Sequence, residues 1–221
     1  LSETYPSFRK IPRLHKDIII TEKIDGTNGL ISIRTERFDS QADILPGEIR
    51  VPNEAEGLVY VLRPGSRNRW LTMSDDNHQF AKWVRANAEA LVALGPGHHY
   101  GEWFGQGIQR GYGLTEKRFA LFNVARWYNP TIDPDVVERF EDAKPAPACC
   151  DVVPVLWMDS GKNLNNAVLG SLYTLRDTGS WMVPGFRNPE GLIAFHTAAG
   201  QYFKVLLDGD DIPKSLAEEA W

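Results

Sequence analysis

The stretch TEKIDGTNG, Thr21 to Gly29, sets a lysine two residues ahead of an aspartate and glycine, between an apolar run and an alternating one. Asp25-Gly26 is a strong two-residue hairpin signal. Lys23 is therefore either an ordinary strand residue beside a turn or a nucleophile at the mouth of a pocket. Four further segments put polar side chains into strand-like surroundings: Arg67 in GSRNRW, Glu102 in YGEWFGQGIQ, Glu190 in PEGLIAF and Lys204 in YFKVLL. Taken singly, each has an ordinary explanation. A strand lysine can face water, a carboxylate beside a glycine can end a strand, and an alternating aromatic such as Phe122 in FALFNV commonly packs in a core.

The elements that must carry these groups begin as strands. DIIITEKI and NGLISIRTE flank Asp25-Gly26, and GLVYVLR follows a polar loop containing Pro and Gly. In SDDNHQFAKWVRANAEALVALGPG the period changes to that of a helix, with Phe80, Trp83, Val84, Leu91 and Val92 on one face. Ser74 or Asp75 can cap its start and Gly95-Pro96 can stop it. HHYGEWFG and RFALFNVARW read as strands, DPDVVERFEDA as a short helix, DVVPVLWM as a strand and NLNNAVLGSLYTLR as a helix. EGLIAFHTAAGQYFKVLL closes the order as two strands joined by a loop with Ala-Gly. Such an order predicts an α+β fold with mainly antiparallel sheets and packed helices, not a doubly wound parallel sheet. The glycine motifs of Rossmann and P-loop folds are absent.

The 221 residues, 43% hydrophobic and 24% charged, suffice for one packed core. No apolar stretch approaches the roughly 18 to 20 residues of a membrane span, and LSETYPSFRKIPRLHK lacks the apolar run of a signal peptide. Cys149 and Cys150 are neighbours, poorly placed for a structural bridge, which fits a reducing cytoplasm. His98-His99 lacks partners at metal-site spacing. The net charge of −5 runs against phosphate binding, yet Arg63, Arg67 and Arg69 cluster, as do Arg110, Lys117 and Arg118.

Read in order, the five segments resemble a known constellation. EKIDGTNG matches the Lys-x-Asp-Gly signature of the covalent nucleotidyltransferases: ATP-dependent DNA ligases, RNA ligases and mRNA-capping guanylyltransferases. Within that superfamily, YGEWFGQGIQRGYGLTEKRFALFNV resembles the phage-type RNA ligases of the RNA ligase 2 class, and so does the Thr-Asn after Asp25-Gly26. The likeness runs from Thr21 to about Leu207.

The resemblance implies a single nucleotidyltransferase domain over residues 1–221 with an ATP-grasp-like ligase adenylation fold, and the short stretch after Leu207 leads us to expect no C-terminal OB domain. The resemblance also implies that Lys23 attacks the α-phosphate of ATP, releases pyrophosphate and becomes lysyl-AMP. A free lysine amine is neutral at pH 7 only at a cost of roughly 4.6 kcal/mol, so a nearby cation or metal must help, and Lys204 is the candidate cation. By the same resemblance Glu190 and Glu102 hold Mg²⁺ or Mn²⁺, and Glu102 and Arg67 hold the ribose, with Arg63 as the fallback for Arg67. Phe122 stacks on adenine, Asn28 fixes sugar or phosphate, and Glu22 reads the adenine edge. AMP then passes to a 5′-phosphate and a 3′-hydroxyl expels it, joining RNA ends in a nicked duplex, as in RNA repair by a cytoplasmic monomer.

Two departures from the pattern stand out. The last motif of the family carries two lysines one residue apart, whereas this chain has Lys204 and then Leu206. DGDDIPKSLAEEAW is also too short for the C-terminal domain that relatives carry. A DNA ligase, a capping enzyme, or a nucleotide- or RNA-binding module without turnover are the competing readings.

Overall fold

The computed structural model describes residues 8, 10–39, 43–129 and 140–208. Alternating apolar residues form β1 (Asp17–Lys23), β2 (Thr27–Arg37), β3 (Ile49–Asn53), β4 (Leu58–Gly65), β5 (Gly97–Gly105) and β6 (Lys117–Leu121). After these come the short β7 (Trp127–Tyr128), β8 (Lys144–Pro145) and β9 (Asp151–Val152), then β10 (Val155–Ser160), β11 (Gly191–His196) and β12 (Gln201–Leu206). They assemble into a four-stranded sheet of order β10-β1-β11-β12, a six-stranded sheet of order β3-β4-β2-β5-β6-β9 and a β7-β8 pair. Within the four-stranded sheet all pairings are antiparallel, and the six-stranded sheet is antiparallel except for β6 with β9.

β1 and β2 follow each other across Asp25-Gly26 yet belong to different sheets, so the expected hairpin is a crossing between layers. Gly26 is required there by space and not by handedness. A Cβ at this position would stand 2.5 Å from the Trp103 carbonyl oxygen and 2.9 Å from Phe104 Cβ. The run DVVPVLWM, expected as one strand, is also divided: β9 completes the six-stranded sheet and β10 edges the other. Pro154, which has no N–H to give a ladder, stands at the break, and its carbonyl accepts the Glu22 N–H at 3.0 Å. β3 lies in the stretch read from sequence as a loop. Its pairing with β4 through Ile49, opposite Leu62, and Val51, opposite Tyr60, shows the alternation that the surrounding polar residues hid.

The expected single helix after Ser74 starts later and breaks. α1 (Phe80–Ala86) and α2 (Ala88–Leu91) meet at Asn87, whose side-chain amide donates to the Trp83 carbonyl at 2.9 Å, a local bond that competes with the helix ladder. The first turn is held by Asp76: Oδ1 accepts Asn77 and Ala81 N–H at 2.6 and 2.8 Å, and Oδ2 accepts Lys82 N–H at 3.2 Å. Phe80 packs against Trp103 and Phe119 at 5.4 and 5.1 Å between ring centroids, which seats α1 on one face of the six-stranded sheet. α3 (Leu164–Thr178) covers the four-stranded sheet on the face that carries Ile18, Ile20, Leu192 and Ala194. Ile19, Ile24 and Val155 instead join the large core of the other sheet, which draws the two layers together. The helix expected from 133 lies, up to residue 139, outside the described residues. Among the described residues no helix is long and apolar enough to cross a membrane.

Asp76, not Ser74 or Asp75, is therefore the capping side chain. Asp76→Ala is expected to lower the urea-unfolding free energy by about 1–2 kcal/mol. Asp75, paired with Arg69 at the surface, should change it by less than about 1 kcal/mol when made Ala. Equal losses for the two variants would refute the assignment.

Candidate active site

Alternation along β1 sends Ile18, Ile20 and Glu22 to the α3 side of their sheet, and Ile19, Thr21 and Lys23 to the other. Lys23 thus leaves the strand end toward the six-stranded sheet. There its Nζ meets Glu190 Oε2 at 2.5 Å. Glu190 immediately precedes β11, whose first residue Gly191 pairs with Lys23, so strand register brings the amine and the carboxylate together.

Glu102 enters from the opposite layer. On β5 it pairs with Asn28 of β2, and its Oε2 accepts the Asn28 side-chain amide at 3.3 Å. Its Oε1 accepts the Gly26 N–H at 3.1 Å, a bond that depends on the close passage of Gly26 over β5. Burial pushes the Glu102 carboxyl up to about 7 against the pull of Lys23 and the Gly26 N–H, and the charges of Glu190 and Asp25 push it the same way as burial. Phe122 lies just past β6, half-buried, with its N–H bonded to the Tyr100 carbonyl at 3.0 Å. Alternation puts it on the same face as Glu102.

Lys204 is exposed on β12, opposite Ile193, which in turn faces Thr21. It shares the Lys23 face but stands two strands away. Leu206 is opposite Gly191 and so in line with Lys23; the position nearest the nucleophile along that row is apolar. Arg67 is exposed in the tight turn after β4, where Ser66 N–H donates to the Arg69 carbonyl at 2.8 Å. Gly65 pairs with Leu30, so the chain leaves β4 toward Asn28. Arg63 lies within β4 and stacks on Trp70 at 4.4 Å.

Glu22 is where the expectation and the geometry part. It is 1% exposed, and it takes the Ser180 hydroxyl on Oε1 at 2.6 Å and the Trp181 and Met182 N–H groups on Oε2 at 2.8 Å each. Burial raises its carboxyl above the ordinary range although all three bonds oppose this. With its carboxylate taken up by these three partners, Glu22 anchors β1 to the 180–182 loop.

Residues that sequence reasoning missed complete the surroundings. Tyr112 OH accepts the Asp25 N–H at 2.8 Å, and Arg110 Nε meets Asp25 Oδ2 at 3.1 Å. Arg110 was visible only as a member of a basic cluster, and nothing in the spacing of Tyr112 or Ser180 marks them.

For a metal, Glu190 and Glu102 offer two hard oxygen donors in one electrostatic neighbourhood. Among the described residues no group of three or more His, Cys, Asp or Glu stands ready to hold an ion alone. A pair of carboxylates suits Mg²⁺ or Mn²⁺ bound together with water and substrate phosphate, the usual manner for such ions.

Two facing layers, a lysine at the end of an inner strand and carboxylates converging on it define the adenylation fold of the covalent nucleotidyltransferases. The RNA ligase family model matches residues 16–194, and the chain belongs to that family. Among solved structures, a mutant of Naegleria gruberi RNA ligase with ATP and Mn is similar in fold, with a TM-score of 0.51 and 19% identity over 87% of this chain and 49% of that one. A second mutant of that ligase, also with ATP and Mn, gives 0.51 and 19% over 88% and 50%. This chain thus spans about half the length of those proteins. No curated protein matches it in sequence.

The raised Glu102 value has a sign that can be tested. Between the ordinary 4.5 and about 7 the native state holds this proton more tightly than the unfolded chain. The stability it confers is fully present below the lower value and lost as pH rises through the upper one. Glu102→Gln keeps a neutral group there at every pH. Relative to that variant, the wild-type unfolding free energy should fall by about 1–3 kcal/mol between about pH 5 and 7.5; parallel curves would contradict the assignment.

Proposed function

We propose that this chain is the adenylation domain of an ATP-dependent RNA ligase that works through lysyl-AMP on Lys23. The observation that carries the reading is the convergence of Lys23, Glu190 and Glu102 from three distant stretches of chain onto one groove. Family membership supports it, as do the solved Naegleria gruberi RNA ligase mutants with ATP and Mn.

In the first step the neutral Lys23 amine attacks the α-phosphorus of ATP. A nitrogen–phosphorus bond forms, the bond to the bridging oxygen breaks, and pyrophosphate leaves with the electron pair while the amine loses its proton. A divalent ion such as Mg²⁺ or Mn²⁺, when bound, would supply neutralisation of the phosphate oxygens. Glu190 and Glu102 are the residues that would hold it. In the free protein Glu190 is engaged with Lys23, which holds the amine at the end of β1. Lys204 reaches the α-phosphate from β12 and stabilises charge developing there. Arg67, at the tip beyond β4, and Glu102 hold the ribose, Asn28 holds sugar or phosphate, and Phe122 offers its ring to adenine. Glu22 contributes by fixing β1 from behind.

The remaining steps move AMP to a 5′-phosphate and then expel it by a 3′-hydroxyl, sealing RNA ends in a nicked duplex. The reading takes the chain as a single nucleotidyltransferase domain that acts as a cytoplasmic monomer in RNA repair.

Incubation with α-labelled ATP and Mg²⁺ or Mn²⁺ should leave label that survives denaturation, with a mass gain matching AMP. Lys23→Ala should abolish the adduct, and Glu190→Ala should slow it at least about 100-fold. An adduct that persists without Lys23, or none from ATP, would overturn the reading. Label from GTP alone would point to capping chemistry.

A further inference from the structure

The loop between β5 and β6 carries a polar connection that reaches both sides of the Lys23–Glu190 pair. Arg110 Nε contacts Asp25 Oδ2 at 3.1 Å on the turn after the nucleophile. Its Nη1 reaches Asn188 O, Asn188 Oδ1 and Pro189 O at 3.0, 2.8 and 3.3 Å, on the segment that leads into Glu190. Tyr112, two residues on, repeats the span: its hydroxyl accepts the Asp25 N–H at 2.8 Å, and its ring packs on Phe186 at 4.5 Å.

The backbone around Arg110 is held in an uncommon shape. Gln109 and Tyr112 have φ of 44° and 54°, and Gly111 between them has 64°. Side chains with a Cβ enter this region at a cost that surrounding contacts must offset. Here those contacts are Ile108, 1% exposed and bonded by its N–H to the Gly105 carbonyl, and the Tyr112 ring edge-on to Phe104 at 5.4 Å. The loop is therefore built to present its side chains in one arrangement.

From this geometry we propose that Arg110 is a positioning residue that clamps the Asp25 turn to the 188–190 segment and so fixes the Glu190 carboxylate where it serves Lys23 and its metal. An arginine suits the task because its planar fork meets two acceptors in different directions, which a lysine ammonium on one flexible stem does not. The inference rests on the proposed adenylation chemistry for its consequence, but the clamp itself is a property of the free protein.

Two measurements on the whole chain test it. Amide hydrogen exchange of the protein alone reads the clamp: Arg110→Ala should speed exchange at residues 187–192 about tenfold while 17–22 keep their protection. Single-turnover formation of lysyl-AMP, titrated with Mn²⁺, reads the consequence. Arg110→Ala should raise the half-saturating Mn²⁺ about tenfold with a smaller change in the maximal rate, and Arg110→Lys, which retains the ion pair with Asp25, should recover part of this. Unchanged exchange at 187–192, or equal acceleration at 17–22, would overturn the clamp. A fall in maximal rate with no change in Mn²⁺ requirement would overturn its role toward the metal. Faster local exchange in a protein whose wild type forms no adduct would uphold the clamp and count against the adenylation chemistry instead.

Discussion

Glu22 is buried on the α3 side of β1, where it gathers the Ser180 hydroxyl and two backbone N–H groups around its carboxylate. Strand residues alternate between faces, so anchoring Glu22 from behind sends Lys23 forward. The rest of the site depends on that constraint. A carboxylate buried with all its bonds made is costly to disturb, and one that seizes the 180–182 loop also orients the chain that runs on to Glu190. Lys23 is thus carried on a strand that its sequence neighbour ties to the 180–182 loop.

In front of β1 the problem is one of charge. Lys23, Asp25, Glu102, Glu190 and Arg110 meet in a partly buried space, where the charges of Glu190 and Asp25 add to the cost of ionising Glu102. The observed pairing divides them: Lys23 with Glu190, Arg110 with Asp25, and Glu102 with two uncharged donors. Glu102 is left without a cationic partner of its own, which is why burial dominates its titration.

Local patterns made much of the fold readable. Alternation marked β1, β2, β4, β5, β11 and β12, and helical spacing marked α3. Two errors fell where a long-range partner overrode a local signal, and a third misplaced a capping side chain within its own turn. Asp25-Gly26 looks like a hairpin because the dipeptide favours one, yet its flanking strands find partners in different sheets. DVVPVLWM looks like one strand because its apolar run continues through Pro154, which divides it between layers. Ser74 and Asp75 look like caps because they precede the periodic residues, while Asp76 makes the bonds.

For the site, residue types and their order along the chain determined the chemistry to be sought: a lysine before Asp-Gly, then separated carboxylates and a late lysine, all groups suited to nucleotidyl transfer. Position in sequence says nothing of which face a side chain takes or what lies across from it. Only the tertiary structure decided that Glu22 meets the 180–182 loop, and that Leu206 stands in line with Lys23 where Lys204 does not. It also brought in Arg110 and Tyr112, whose roles come from reaching two segments of chain 78 and 87 residues away in sequence. Sheet register and the meeting of two layers set those distances, and neither is written in any local stretch.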